Sequence, residues 1–336
     1  MIEWFKRHWF VIGLGLVFAA TVWDFTGAVS RLGVNVKSRH GPDAAIILIF
    51  FFSGLMLNAD QIRSGATDIK GLAPALALIF VITPLWAAVI GVLPVSTEIK
   101  IGIFLVASMP TTLSSGVVMT GASGGNIAHA LLITISANSL SIVTIPLVLS
   151  GLLDTLGNPA EVAFEKLPIM IKIGLFVLVP LGVGIIFRRF IDSFFSRISP
   201  RLNKLNQIFV LGIVWMSLSE SREAIIENHH MVGETLVVVI IFHLLALISA
   251  FLMVGGLKIG PGRRESIVFM GVQKTLPLSV ILQVALFPGY GMVLVVCVLH
   301  HVTHLMIDGF LIGWFRKSGD SGRTIASESG QMDDDS

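Results

Sequence analysis

The sequence predicts an all-α membrane protein with ten transmembrane helices arranged as an inverted five-plus-five repeat. Three observations lead to this fold class. The 336-residue chain is 54% hydrophobic and only 13% charged, with a mean hydropathy of +0.87, whereas soluble domains carry about 25% charged residues. Ten apolar segments could each cross a bilayer. The first five of these segments align with the second five when the chain is shifted by 163 residues.

Composition also limits the partners of the chain. The formal net charge of +2 is too small to favour a nucleic acid or an acidic protein as a partner. The single cysteine, Cys297, excludes an intrachain disulfide and a four-cysteine zinc site. We therefore expect the lipid bilayer as the surrounding medium and no nucleic-acid partner, and the sequence leaves the oligomeric state open.

The predicted spans follow from segment length, because a bilayer core about 30 Å thick needs roughly 20 apolar helical residues. The first segment follows basic residues, as in a signal peptide, but it has no small-residue cleavage site and is therefore predicted to be a retained span. The ten spans are approximately 8–27, 43–58, 72–93, 101–121, 127–151, 168–187, 205–221, 234–257, 266–286 and 289–315.

Loop charge predicts the orientation of these spans. Basic residues are about twice as numerous in the loops on the side of the two termini as in the other loops, so both termini are expected in the cytoplasm. Residues 1–315 are predicted to form a single transmembrane domain. Residues 316–336 have no apolar periodicity and are expected to be a disordered cytoplasmic tail.

The repeat predicts the architecture. The same shift places Thr111–Met119 over Lys274–Leu282, and spans 1, 2, 3 and 5 over spans 6, 7, 8 and 10. The two repeats cover about 8–151 and 168–315. Because five is odd, the second repeat is inverted in the membrane, an arrangement that secondary transporters use to build a site near the midplane.

Spans 4 and 9 occupy equivalent positions in the repeats, and both are interrupted. Pro110 precedes a run of hydroxyl residues in span 4, and span 9 contains "GVQKTLPLS". In hydrocarbon, a broken helix persists only where it is buried in protein or lines a cavity. Free N–H groups of a half-helix favour anions, and free carbonyls favour cations. The paired breaks therefore predict the binding site; a proline kink with serines bonded back to their own helix is the alternative.

Four motifs give the chain a resemblance to a known family: "FFFSGLMLN" from Phe50, "MPTTLSSGVVMTGASGGN" from Met109, "IPL" from Ile145 and "GVQKTL" from Gly271. Over about residues 8–315 it resembles the bile acid:sodium symporter family, in particular its bacterial branch related to the seventh member of solute carrier family 10. The resemblance implies a core of spans 3–5 and 8–10, in which broken spans 4 and 9 cross. It also implies a panel of spans 1, 2, 6 and 7, substrate in the crevice between them, and a location in the bacterial inner membrane.

The family's sodium ligands match this chain only in part. Better-known members have a glutamate in span 9 and a glutamine in span 3, where this chain has Phe269 and Ile79, and one span 5 ligand is replaced by Ala130. We expect no cofactor, and a coupled sodium ion stays open. The candidate substrate-binding or ion-binding residues are Thr111, Thr112, Ser114, Ser115, Thr134, Asn138, Gln273, Lys274 and Thr275.

Lys274 stands out among these candidates, because a charge at membrane depth usually faces a cavity and has a partner. Its ammonium could occupy the space of the missing sodium ion, bind an anionic substrate, or lose its proton during transport. Alternatively, it could cap the carbonyls of the broken helix.

Span 10 carries a polar stripe, because His300, His304 and Asp308 recur every four residues. The stripe could relay protons, bind a metal, or pack as a polar face against Asn138 and Ser141 of span 5. The zinc-protease glutamate is absent, so we expect no metal. We expect His243 of span 8 to make an interhelical hydrogen bond. The candidate proton or polar relay consists of His300, His301, His304 and Asp308.

Together these features predict a secondary transporter, not an enzyme, that moves a small organic anion by alternating access. Two alternatives remain at this point. One is a non-transporting regulatory membrane protein with the same fold. The other is a metal-dependent membrane enzyme that uses His300, His304 and Asp308.

Overall fold

A computed structural model describes residues 2–56, 69–112, 115–156, 171, 174–227, 230–287 and 290–332. These residues form helices and connections, with no strand among them. The α-helices of the first half are α1 (Ile2–Val22), α2 (Ala28–Ser38), α3 (Gly41–Met56), α4 (Ile69–Ala77), α5 (Thr83–Gly91), α6 (Thr97–Ser108), α7 (Ser115–Ala122) and α8 (Ile127–Asp154). Those of the second half are α9 (Val179–Arg188), α10 (Asp192–Glu227), α11 (His230–Gly256), α12 (Arg263–Val272), α13 (Leu276–Leu286) and α14 (Gly291–Met332). Leu78–Ile82 and Gly174–Leu178 are π-helical.

The lengths and apolar composition of these helices confirm an all-helical integral membrane protein. Five stretches are long and apolar enough to cross a bilayer, and they match predicted spans 3, 5, 8, 9 and 10: Gly71–Gly91, Ile127–Asp154, Met231–Gly256, Arg263–Leu286 and Gly291–Arg316. Shorter apolar helices match predicted spans 1, 2 and 6: Ile12–Val22, Gly41–Met56 and Gly174–Arg188. The count of ten spans and the inverted repeat stay predictions.

Three helices differ from the predicted spans. Helix α2 lies in a segment expected to be a loop, where it packs against α10. Helix α10 is 36 residues long and extends well beyond the predicted span 205–221. Helix α14 continues to Met332, so residues 316–332 are helical in the structure, whereas we expect a disordered tail from residue 316. No proline follows the last span to end that helix.

Both predicted helix breaks are present, and they touch. Helix α6 ends at Ser108, and the backbone is extended at Met109. Helix α12 ends at Val272, and the backbone is extended at Gln273 and Thr275 before α13 begins. The amide of Thr275 donates to the carbonyl of Pro110 at 3.0 Å. The two interruptions therefore satisfy part of each other's exposed backbone, as a break inside a membrane requires.

The remaining helices pack around these breaks. Helix α6 packs against α14, and α11 packs against α12. On the other side of the molecule, α1 packs against α10 and α3 packs against α9. The α3–α9 approach is close because both helices have a glycine at the contact: a Cβ on Gly54 would lie 2.2 Å from the carbonyl oxygen of Leu181.

Candidate functional site

A cavity of about 820 Å³ lies between these two groups of helices. Residues of α1, α3 and α10 line one side of it, and residues of α7, α13 and α14 line the other. Most of the lining is apolar, and no described lining residue is Asp, Glu, Lys or Arg. The polar side chains of the lining are Ser53, Thr112, Ser115, Asn206, Gln207, Thr275 and His301.

Two half-helices begin at the wall of this cavity. Ser115 is the first residue of α7, Thr275 is the N-cap of α13, and both side chains belong to the lining. The hydroxyl oxygens of Thr112 and Ser115 lie 2.7 Å apart, and the Thr112 oxygen accepts from the amide of Gly116 at 3.2 Å. First-turn N–H groups lack partners within their helix and carry its positive dipole end. The wall therefore offers hydroxyl groups and positive helix ends.

A hydrogen-bonded chain leads from the wall to a buried carboxylate. Ser115 Oγ donates to Gln273 Oε1 at 2.9 Å, and Gln273 Nε2 donates to Asp308 Oδ2 at 2.7 Å. The other oxygen of Asp308 lies 3.0 Å from His243 Nε2. Asp308 and His243 are both fully buried. The predicted interhelical hydrogen bond of His243 is thus confirmed.

The predicted stripe on span 10 forms a second route to the same carboxylate. His301 lies in the cavity lining, and its Nδ1 is 2.9 Å from Nε2 of His304. His304 Nδ1 is in turn 4.0 Å from Asp308 Oδ2. The ring of His300 packs 5.9 Å from the ring of His243, centroid to centroid. The histidines therefore cluster where α14 meets α11.

The alternative in which this stripe packs against Asn138 and Ser141 of span 5 does not match the structure. Its partner is α11, through His243. Asn138 and Ser141 of α8 need no partner from α14, because Asn138 Nδ2 donates to the Thr134 carbonyl at 2.8 Å and Ser141 Oγ donates to the Asn138 carbonyl at 2.6 Å. Within the described ranges, no three His, Cys, Asp or Glu side chains are placed to hold a metal ion.

Lys274 is buried beside the cavity, and its ammonium is held by backbone oxygens. Nζ donates to the carbonyls of Ile79, Ala107 and Met109 at 2.8, 3.0 and 3.0 Å. The side chain is only 2% exposed and does not line the cavity. The capping alternative therefore describes this geometry, whereas direct binding of an anion from the cavity does not.

Local backbone structure explains why these three carbonyls are available. In the π-helical turn, the amide of Thr83 donates to Leu78 instead of Ile79. The Ile79 carbonyl then accepts from the Thr83 hydroxyl at 3.0 Å and from Lys274. The other two carbonyls lie at the broken end of α6, where the helix stops supplying amide donors. A π-turn and a helix end thus form a small carbonyl cage for one cation.

The structure brings together part of the predicted site. Thr112, Ser115 and Thr275 lie in the wall, and Gln273 lies directly behind them. Thr111 is buried, and its hydroxyl has no partner among the described residues. Thr134 is bonded within α8, to the Ala130 carbonyl, and neither it nor Asn138 lines the cavity. Ser114 lies outside the described residues.

Sequence reasoning missed the opposite wall. Ser53 of α3 and Asn206 of α10 line the cavity, and Asn206 Nδ2 donates to Ser53 Oγ at 3.2 Å. Phe10 and Phe50 also lie in this wall. The available signal was polarity, because Ser53 interrupts the apolar run of span 2 and Asn206 lies at the polar start of span 7.

Two touching helix breaks beside a cavity in an all-helical membrane protein are typical of a transporter. The chain belongs to the SBF-like CPA transporter family, whose model matches residues 8–317. Sodium/bile acid cotransporter 7 of Xenopus tropicalis is 26% identical over 331 residues, which cover 93% of this chain and 92% of the relative. The protein of that name from Danio rerio is also 26% identical, over 91% of this chain and 93% of the relative.

A plant relative is slightly more similar over a shorter stretch. The probable chloroplastic sodium/metabolite cotransporter BASS4 of Arabidopsis thaliana is 28% identical over 293 residues, which cover 82% of this chain and 66% of the relative. These comparisons confirm the resemblance read from the four motifs. The family and the names of these relatives indicate a membrane transporter and not an enzyme. A bacterial inner membrane stays a prediction.

Proposed function

We propose that the protein is a secondary transporter that carries a small organic anion by alternating access. The observation that supports this most strongly is the 820 Å³ cavity, whose wall contains the starts of two half-helices. Binding sites of secondary transporters form at such broken helices near the midplane. The cavity would hold the substrate, and motion of one helix group against the other would change which face it opens to.

Packing supports the inverted repeat. The predicted repeat makes span 1 equivalent to span 6 and span 2 equivalent to span 7. Helix α1 of span 1 packs on α10 of span 7, and the equivalent pair, α9 of span 6 and α3 of span 2, also packs together. Trp86 Nε1 donates to Ser249 Oγ at 2.8 Å, and these residues are 163 positions apart. A contact between equivalent positions is expected at the axis that relates two repeats. We therefore keep the ten-span arrangement, with repeats of about 8–151 and 168–315, as part of the proposal.

The chemistry of the wall favours an anionic substrate. The described lining has no carboxylate that would repel an anion. The starts of α7 and α13 contribute positive dipole ends, each worth roughly 0.3–1 kcal/mol to a nearby negative charge. Hydroxyls of Thr112 and Ser115 add donors. The apolar remainder, including Phe10 and Phe50, would contact a hydrocarbon portion of the substrate.

The cavity lies toward one end of the molecule. Its lining includes Phe10 near the start of α1, Ala122 at the end of α7, and residues up to Ile312 of α14. With both termini in the cytoplasm, this is the cytoplasmic half. The structure would then represent an inward-facing state, and the outward-facing state would open the same wall to the other side.

A thermal-shift screen of organic acids, with and without sodium, identifies the substrate class. Purified protein is expected to gain thermal stability with some anions and none with their uncharged amides. Uptake of the best anion into proteoliposomes then tests transport. Binding without uptake under any ion gradient would refute the transporter proposal and favour the regulatory alternative.

A further inference from the structure

We infer that the histidine cluster around Asp308 is a proton-binding site connected to the cavity, so that the coupled ion is a proton. This inference rests on the proposed transport function, which it deepens by naming the co-transported ion. It follows from three features: unpartnered ring nitrogens, a relay to the cavity wall, and the charge balance of the protein interior.

The histidine cluster contains buried ring nitrogens without hydrogen-bond partners, so its rings can bind protons. His243 Nδ1, His300 Nε2 and His304 Nδ1 are buried and have no hydrogen-bond partner among the described residues. Neutral imidazole has one N–H and one bare nitrogen. When His243 donates from Nε2 to Asp308, its Nδ1 is the bare nitrogen. When His304 accepts at Nε2 from His301, its own proton is on Nδ1 and Nε2 is the nitrogen that can gain a second one. The rings of His243 and His304 lie beside the Asp308 carboxylate, and the ring centroids of His300 and His304 are 5.4 Å apart.

His301 provides the route from the cavity. Consider the tautomers in which His301 donates from Nδ1 to Nε2 of His304. A proton arriving from the cavity binds His301 Nε2, and the Nδ1 proton moves 2.9 Å along the existing hydrogen bond to His304. His301 is then neutral again. His304 has become an imidazolium whose Nδ1–H faces Asp308 Oδ2, 4.0 Å away.

Few other charged groups lie near His304 and Asp308 in the part of the chain that the structure describes. Helix α6 brings Glu98 only to the start of α14, where Oε2 accepts from the amide of Met292. The side chains that α7, α10 and α13 contribute to the cavity wall carry no charge. The titratable or charged groups that face the pair are His243 of α11, Lys274 of the span 9 break, and His300 and His301 of α14.

Charge balance links this proton to the anion. With neutral histidines, the buried ionisable side chains in the middle of the core, among the residues that the structure describes, are Lys274 and Asp308, whose charges cancel when both are ionised. An anion alone would leave the interior negative, and a proton alone would leave it positive. Isolated charges inside a membrane protein are costly. The empty carrier and the carrier loaded with both anion and proton are both neutral, so these two states cross between faces most easily.

The test is a histidine titration that needs no ligand. Protein labelled with 15N-histidine in lipid nanodiscs is followed by NMR from pH 8 to pH 5, and His304→Gln assigns the signal. We expect the His304 ring to gain a proton as the pH falls. In Asp308→Asn the midpoint of this titration should require a proton concentration at least about tenfold higher, because the carboxylate no longer stabilises the imidazolium.

Two further variants make the result specific. His129→Gln removes a buried histidine that bonds to Ser266, outside the cluster, and should leave the His304 titration unchanged. If Asp308→Asn fails to fold, Gln273→Met removes the N–H donor to Asp308 and should shift the His304 midpoint to higher pH. A His304 ring that stays neutral throughout, or one whose midpoint ignores both variants, overturns the proton site. Transport can still succeed in that case, so the two proposals fail separately.

Discussion

Replacing Lys274 by methionine should create sodium binding, which we expect the wild type to lack. The substitution removes the ammonium that donates to three backbone carbonyls. Among the described contacts, the Ile79 carbonyl alone keeps another donor, which is the Thr83 hydroxyl. Leaving a buried acceptor unpaired costs about 1–3 kcal/mol, so the Ala107 and Met109 carbonyls together lose about 2–6 kcal/mol. Relief from burying a charge offsets part of this, and the variant should melt at a lower temperature than the wild type.

Sodium should restore the lost stability. Half-helix carbonyls are sodium ligands in secondary transporters, and an ion at 100 times its Kd stabilises by about 2.7 kcal/mol. In the wild type, a sodium ion about 4 Å from the ammonium would be repelled by about 4 kcal/mol at an effective dielectric of 20, which weakens binding roughly a thousandfold.

The assay is thermal melting of detergent-purified protein in sodium chloride and in choline chloride at equal ionic strength. Lys258→Met changes an exposed loop lysine and controls for the loss of one charge. We expect sodium to raise the melting temperature of Lys274→Met alone. If sodium stabilises the wild type equally, or if Lys274→Met melts like the Lys258→Met control, the carbonyl cage is not occupied by the lysine ammonium as described.

Three other predictions follow from the structure. Ser115→Leu should abolish uptake without loss of expression, whereas Ser115→Ala should retain part of it because the cavity stays open; normal uptake by the leucine variant would mean that the break is only a kink. Gly54→Ala should lower the melting temperature because its Cβ would meet a backbone carbonyl of α9 at 2.2 Å. Gly212→Ala should be neutral or slightly stabilising, because no atom beyond its own stretch of helix backbone lies within 4 Å of the new Cβ. Equal melting of the two variants would contradict the close packing. In a cysteine-free background, Leu257→Cys should be labelled only from the cytoplasm and Val92→Cys only from the other side; the reverse result would overturn the orientation.

The breaks and the polar wall on the core side could be predicted from the sequence, because they depend on local signals. Pro110 cannot continue the hydrogen bonding of a helix, and the hydroxyl residues that follow it would be poorly placed in hydrocarbon. The i, i+4 spacing likewise placed His300, His304 and Asp308 on one face, as the structure has them.

What the sequence could not predict depends on contacts between distant elements. Lys274 had several plausible roles because its partner is the carbonyl of Ile79, which is free only where the helix changes to π geometry. Apolar sequence carries no signal for such a turn. The partner helix of the histidine stripe and the wall formed by Ser53 and Asn206 depend in the same way on how separate spans pack.

Alternating access is tested most directly by asking from which faces the cavity wall can be reached. Thr275→Cys, in a chain lacking Cys297, is treated with a membrane-impermeant thiol reagent in sealed vesicles of each orientation. Ile248→Cys serves as the control, since this residue of α11 is 54% exposed and does not line the cavity. We expect Thr275→Cys to react from both faces and Ile248→Cys from neither. Reaction of Thr275→Cys from one face only, under every substrate and ion condition, would contradict alternating access.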